Sequence, residues 1–397
     1  MTMTTASTTE ASVHESPGLP KLGIRNYWYP ALASWRLRSK PKCVRMLGED
    51  IVLFRDGGQI HALADRCAHR GAKLSMGKCL YPGSRSITCP YHGWTYDGGS
   101  GKVVAKLVEG PNAPIPPKAR VKVYPVRELR GAIWIFVGDM EAVPLNEDLP
   151  DCIAEEEDWH IIWNWRTYQC DWRLLSDNLT HDQHAPFLHR TAPELFMKPI
   201  FPHATRNFAE PLENGKGIGH RALDGITTAE YPGLGPFPPK SEWYRLLPAT
   251  GRGREIDPVK SPAVVKYGIR YRHMSLLPAT HLIGRPSGDF FTVRWILPVD
   301  EKTTILYNFN CFRRQSALKT LGDRLGWLVW KSWAHDWLFS DQDKWIVEKI
   351  DPDGPELLSR TDVGVAAWRR FCQTQARKPI ADKAAVDVPA SPRTIAA

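Results

Sequence analysis

CAHRGAKLSMGKCLYPGSRSITCPYHGW, residues 67–94, contains two short loops that each offer one thiolate and one imidazole. Cys67 and His69 form a C-x-H pair, nineteen residues intervene, and Cys89 and His92 form a C-x-x-H pair. A thiolate is soft and anionic whereas imidazole is neutral. A [2Fe-2S] cluster with both Cys on one iron and both His on the other therefore has a raised reduction potential. The same donors also suit a structural tetrahedral zinc ion.

The flanking residues weigh against zinc. Arg70 and Gly71 follow the first pair, and Pro90, Tyr91, Gly93 and Trp94 frame the second, giving CAHRGA and CPYHGW. On these motifs the chain resembles the Rieske non-haem iron oxygenases, alpha (terminal oxygenase) subunit type, above all the aromatic O-demethylase/monooxygenase and phenoxybenzoate dioxygenase-type members. The resemblance implies a Rieske [2Fe-2S] cluster on Cys67, His69, Cys89 and His92. The gap between the pairs is slightly longer than the family's, and the extra length is expected in the YPGS turn at 81–84, since Pro-Gly tolerates insertion.

Outward from this segment the chain reads as an α+β protein. Residues 1–21, rich in Thr, Ser and Ala without periodicity, are expected to be a disordered tail. Residues 22–148 carry short strands separated by turns. Among them, RDGGQ at 55–59 is a hairpin signal, because Asp-Gly supplies the positive φ angles of tight turns. This is the expected all-β Rieske domain. Residues 149–377 form the expected catalytic domain, helix-grip-like, with an antiparallel sheet and covering helices. A strand from Ile161 gives way to helical spacing near Trp172. The Pro/Gly-rich stretch 200–260 reads as a long functional loop. Strands return in FFTVRWILPV and TTILYNFNCF, helical spacing runs from Ser316 to Lys349, and Val363–Gln375 is a last helix. Residues 378–397 are expected to be a second disordered tail.

A second metal site is suggested by His181, His184 and His189, three of the thirteen histidines within nine residues. A non-haem iron oxygenase site needs two His and one carboxylate on one face of the metal. The family pattern fits His184 and His189. Residues five apart on a regular helix differ by about 140 degrees, so the helix must break between them, and Pro186 supplies the break. The third ligand is sought in FSDQDKWIVEKI. There Asp343 has no basic neighbour three or four residues away, whereas Asp341 has Lys344, so Asp343 is preferred. The resemblance agrees, placing the carboxylate in a D-x-x-x-x-E helix, here Asp343 to Glu348. Relatives carry an Asp three residues before the first His ligand, where this chain has His181. Either adjacent Asp182 bridges the two metal sites or His181 relays electrons and protons, with Asp182 preferred. Asn178 matches the family's Asn and joins this catalytic group.

Net charge is +9, but the basic residues are dispersed and no nucleic-acid motif accompanies them, so nucleic acid is not expected as a partner. They are read as solvated surface, with steering of an acidic electron-transfer protein as a second role. No apolar run approaches about 18 residues, and eight cysteines lack framework spacing. No membrane association and a cytoplasmic location are therefore expected. The resemblance implies a mononuclear Fe(II), a homotrimer in which one subunit's cluster feeds the next subunit's iron, and a reductase, with or without a ferredoxin, drawing on NADH or NADPH. The expected reaction uses O2 on a small aromatic substrate, by O-demethylation or monohydroxylation of a methoxylated or phenoxy aromatic acid. Ring cis-dihydroxylation is the alternative within enzymes, and a zinc-stabilised binding protein the alternative outside them. Arg252, Arg254, Arg270 and Arg272 are candidate grips for an anionic group.

Overall fold

The computed structural model describes residues 18–180, 184–189, 192, 206–223, 230–231, 233, 235–236, 271, 273–284 and 288–378. The first domain contains β1 (Tyr27–Ala33), β2 (Lys42–Met46), β3 (Glu49–Asp56), β4 (Gln59–Ala64), β5 (Ser86–Thr88), β6 (Trp94–Asp97), β7 (Val103–Lys106), β8 (Val126–Leu129) and β9 (Ala132–Val137). They form three antiparallel sheets of order β1-β9-β8, β2-β3-β4 and β5-β6-β7. The β3–β4 hairpin turns on Gly57 and Gly58, with φ of 58° and 80°, the doubly left-handed turn that Asp-Gly signals. In β1 every residue is buried, and the register shifts next to Pro30, where a missing N–H does least harm to the ladder.

The second domain opens with α1 (Asp151–Ala154), β10 (Trp159–Tyr168), α2 (Trp172–Thr180) and the one-turn α3 (Ala185–Leu188). It continues through β11 (Arg206–Pro211), β12 (Gly217–Leu223), the short pair β13 (Glu230–Tyr231) and β14 (Gly235–Pro236), β15 (His273–Leu276), β16 (Thr280–Gly284), β17 (Phe290–Pro298) and β18 (Thr304–Arg313). The expected helical run after Ser316 is divided into α4 (Ala317–Gly326), a π-helical stretch (Trp327–Phe339) and α5 (Ser340–Val347), and α6 (Val363–Gln375) closes the domain. Seven strands make one antiparallel sheet in the order β10-β18-β17-β16-β15-β12-β11. The stretch 200–260, expected as one long loop, needs correction where period-two pairing takes over: residues 206–211 and 217–223 form β11 and β12 of this sheet, and most of the remainder lies outside the described residues. Among the described residues, no helix is long and apolar enough to cross a membrane.

Both faces of the large sheet are buried, and alternation decides which residues go where. Val293 and Trp295 of β17 and Phe309 of β18 face the first domain. Trp134 of β9 packs edge-on against Trp295 at 5.0 Å and stacks near Phe309 at 5.7 Å, so the two domains share one core. The opposite face carries Thr292, Arg294, Asn308 and Asn310 under the helices, and all four are buried. A smaller core, including Val52, Phe54, Leu63 and Tyr96, lies beneath the two cysteines of the ligand loops.

The expected tail at 1–21 needs correction at its end. Leu19 is only 6% exposed within the shared core, and the Pro20 carbonyl accepts a 2.9 Å bond from Trp172 Nε1. Apolar burial and a satisfied indole therefore draw residues 18–21 into the fold, while 1–17 lie outside the described residues. At the other end, the Lys378 carbonyl accepts from Asn26 Nδ2 at 3.3 Å.

Candidate metal centres

The two Cys/His loops are closed by the same pair of backbone bonds. Cys67 N–H donates to Ala72 (2.8 Å) and Gly71 N–H donates back to Cys67 (2.9 Å). Cys89 N–H donates to Trp94 (2.8 Å) and Gly93 N–H back to Cys89 (3.2 Å). Gly71 and Gly93 have φ of 76° and 65°, a left-handed conformation that glycine adopts without strain, which is why each motif carries a Gly four residues after its Cys. Cys67 and Cys89 are buried, while His69 is exposed and His92 half-buried. His69 stacks on Trp94 at 4.8 Å, and the two imidazole centroids are 4.7 Å apart. Ala68 N–H donates to Tyr96 Oη at 2.9 Å, which leaves the hydroxyl proton for Cys67 Sγ at 3.1 Å. Burial raises the Cys89 thiol pKa above its ordinary value, and neighbouring Cys67 raises it further.

A single tetrahedral zinc ion would draw all four donors to separations of about 3.3–3.8 Å. They do not converge in this way. Among the described residues, the one set of three His, Cys, Asp or Glu donors within 4.8 Å of one another is His184, His189 and Asp343. Two thiols on the inside and two imidazoles at the rim fit a two-iron cluster with unlike ends.

In that second set, α3 stands between its two histidines. His184 precedes it, its carbonyl taking N–H bonds from Phe187 (3.0 Å) and Leu188 (2.7 Å), and His189 follows it. Pro186 lies in the first turn, where a missing N–H costs nothing, so the break expected between the histidines takes the form of a separate one-turn helix. Asp343 enters from α5, where it is buried. Its Oδ1 lies 3.4 Å from His184 Nε2 and 3.1 Å from His189 Nε2, and accepts from Asn178 Nδ2 at 3.0 Å.

His189 also bears on what the centre could hold. Gln342 Oε1 lies 2.9 Å from its Nδ1, so Nδ1 carries the proton and Nε2 presents a lone pair. That lone pair faces a carboxylate oxygen at 3.1 Å, and Nε2 is buried without a hydrogen bond among the described residues. Two acceptors opposed in this way repel unless a cation stands between them.

Asp341, read from sequence beside Lys344, is instead bound to Arg166, and Lys344 approaches Glu348 at 3.7 Å. His181 and Asp182, as well as Arg252, Arg254, Arg270 and Arg272, lie outside the described residues. Sequence reasoning missed Tyr96, Gln342 and Phe339, whose ring stacks on His189 at 3.6 Å. Gln342 had a local signal, since it adjoins Asp343; the other two needed the fold. A groove of about 920 Å³ opens on Asn178 and His184. Asp177, Asp341, Glu356 and Asp362 rim it, and Arg369 and Arg166 offset only part of that charge. A hollow of about 330 Å³ beside Cys67 and His69 is rimmed by Arg66, Arg70 and Arg120.

Residues 27–125 match the model of the Rieske [2Fe-2S] domain family. The chain is 34% identical over 371 residues to the terminal oxygenase component of carbazole 1,9a-dioxygenase from Metapseudomonas resinovorans, covering 88% of this chain and 90% of that one. It is 40% identical over 385 residues to a 4beta-methylsterol monooxygenase from Methylococcus capsulatus (strain ATCC 33009 / NCIMB 11132 / Bath), covering 90% and 93%. Among solved structures, the terminal oxygenase of carbazole 1,9a-dioxygenase from Novosphingobium sp. KA1 superposes with a TM-score of 0.72 at 26% identity, over 90% of this chain and 94% of that one.

Proposed function

Because the chain belongs to the Rieske non-haem iron oxygenases, as an alpha (terminal oxygenase) subunit, we propose that Cys67, His69, Cys89 and His92 hold its [2Fe-2S] cluster and that His184, His189 and Asp343 hold its mononuclear iron. When bound, the cluster supplies one-electron storage and the lone iron supplies dioxygen activation. The observation that carries the ligand assignment is the opposition of the His189 Nε2 lone pair and Asp343 Oδ1. The protein's own part is positional. Gln342 orients His189, Asn178 holds Asp343, and Tyr96 directs its proton at a cluster sulfur.

The reaction we favour is monooxygenation of a methoxylated or phenoxy aromatic acid, by hydroxylation of the ring or of an O-methyl group. In the second case dioxygen, two electrons and two protons convert aryl-O-CH3 to aryl-O-CH2OH and water. The hemiacetal then releases a phenol and formaldehyde. Ring cis-dihydroxylation is the second reading, favoured by the similarity to a dioxygenase component. A product screen of aromatic methyl ethers with oxygen and an electron donor tests the choice. Formaldehyde with a phenol supports demethylation, a hydroxylated ring supports monohydroxylation, and a cis-diol overturns both.

Electrons are proposed to come from a reductase, with or without a ferredoxin. The arginine-rimmed hollow at the cluster loop supports an acidic donor there. A homotrimer, in which one subunit's cluster feeds the next subunit's iron, is proposed on the family resemblance. His181 and Asp182 stand as proposed links across that junction, with Asp182 preferred.

A further inference from the structure

Strand pairing sets three polar side chains in a row on the helix-covered face of the large sheet. Arg294 of β17 lies directly between His281 of β16 and Asn308 of β18. Period-two alternation adds Thr292 and Asn310 one step along. Arg294 is 4% exposed, yet among the described residues it forms no ion pair and no hydrogen bond, and its Nε is buried and unsatisfied. Asn308 Oδ1 and Asn310 Nδ2 beside it are likewise buried without partners. The buried acid on this face is already engaged, since Asn164 Nδ2 donates to Asp336 and His335 Nδ1 lies 3.2 Å from it. Among the described residues, the guanidinium's cation–π contact is with Phe339, 5.7 Å from the ring centroid. A cation–π contact with a phenyl ring returns far less than the cost of burying a permanent charge unpaired.

The position matters as much as the charge. Phe339 is also the ring on which His189 stacks, at 3.6 Å, so a single aromatic side chain touches both the guanidinium and a proposed iron ligand. We propose that Arg294 is the anchor for the carboxylate of an anionic aromatic substrate, its planar fork taking both oxygens while the substrate's far end reaches the iron. Asn310 Nδ2 supplies a further donor to the same group, and Asn308 Oδ1 accepts from the guanidinium or from a substrate hydroxyl. The assignment deepens the reading of this domain as the catalytic one, and it rests on that reading for where the reacting end lies. It names a grip in a strand, whereas the four arginines singled out from sequence lie outside the described residues.

The test is calorimetric titration of the purified holoenzyme with 4-methoxybenzoate and its neutral near-isostere 4-methoxybenzamide, at pH 7.5 and without reductant. The wild type is expected to bind the carboxylate at least tenfold more tightly than the amide. Arg294→Met is expected to lose the carboxylate by tenfold to a hundredfold, the range of a charge-assisted pair, while binding the amide as before. Arg294→Lys is expected to fall between. Replacing an unpaired buried charge with an apolar chain should leave the melting temperature unchanged or higher, which separates a lost grip from a lost fold. If Arg294→Met does not fold, the lysine variant and the wild-type preference for carboxylate over amide decide the matter. Equal binding of the two probes by the wild type, or undiminished carboxylate binding by a folded Arg294→Met, overturns the proposal. Because no turnover is involved, a diol among the products would sink the demethylation reading and leave this result standing.

Discussion

Gln342 Oε1 lies 2.9 Å from His189 Nδ1, so the residue immediately before Asp343 sets the tautomer of the imidazole that faces Asp343. One turn of α5 thus supplies both a proposed ligand and the support for another. Gln342→Leu is expected to weaken ferrous iron binding by about 10–100-fold, as loss of an outer partner of a metal-bound histidine does, without changing the cluster's visible spectrum. An iron titration indistinguishable from wild type would refute the tautomer argument.

The two aspartates of α5 should separate cleanly. Asp343→Ala removes the carboxylate that faces both histidines and is expected to abolish the mononuclear iron while retaining the cluster. Asp341→Ala removes a partly exposed partner of Arg166 and should retain both. Iron and acid-labile sulfide, counted per chain, provide the check: loss of one iron in the first variant and of none in the second.

Tyr96→Phe deletes the hydroxyl that lies 3.1 Å from Cys67 Sγ. A proton directed at a cluster sulfur stabilises the reduced, more negative state, so its removal should lower the reduction potential by tens of millivolts, on the order of one hydrogen bond. Potentiometric titration followed by magnetic resonance reads this directly. A potential equal to the wild type's, or higher, would contradict the geometry.

His281 gives stability a pH dependence. It is fully buried between Ser176 Oγ (3.0 Å from Nε2) and Ser275 Oγ (2.9 Å from Nδ1), and burial holds its pKa well below 6.5, with nearby His273 and Arg294 acting in the same direction. The folded ring therefore stays neutral while the unfolded ring takes a proton below pH 6.5. Its contribution is fully present above that value and is lost as pH falls toward the folded pKa, at about 1.4 kcal/mol per unit. Urea unfolding at pH 7.5 and 5.5 should show a smaller loss for His281→Asn than for the wild type. Equal losses would place the titration elsewhere.

Much of the fold was legible because its signals are local. Gly57 and Gly58 mark a hairpin by the backbone angles they alone take easily, and the last helix occupies the expected Val363–Gln375. The two ligand loops are written in six-residue motifs, since each closes on itself through a glycine four residues after its cysteine. Leu19 was missed because a lone leucine in a polar tail has no partner until Trp172 and the shared core are in place.

The amino-acid sequence by itself determined which donors exist and which of them share a loop: backbone turns and side-chain chemistry act over a few residues. Only tertiary structure decided what faces what. Arg166 reaches Asp341 across 175 residues, leaving Asp343 to the two histidines. Strand alternation assigns Trp295 to one face and Arg294 to the other, but with both faces buried, the pattern alone does not say which one meets the metal. Packing decides which face turns toward the proposed iron site, because Trp134 covers the apolar face and the helical segments that carry the proposed donors His184, His189 and Asp343 cover the polar one.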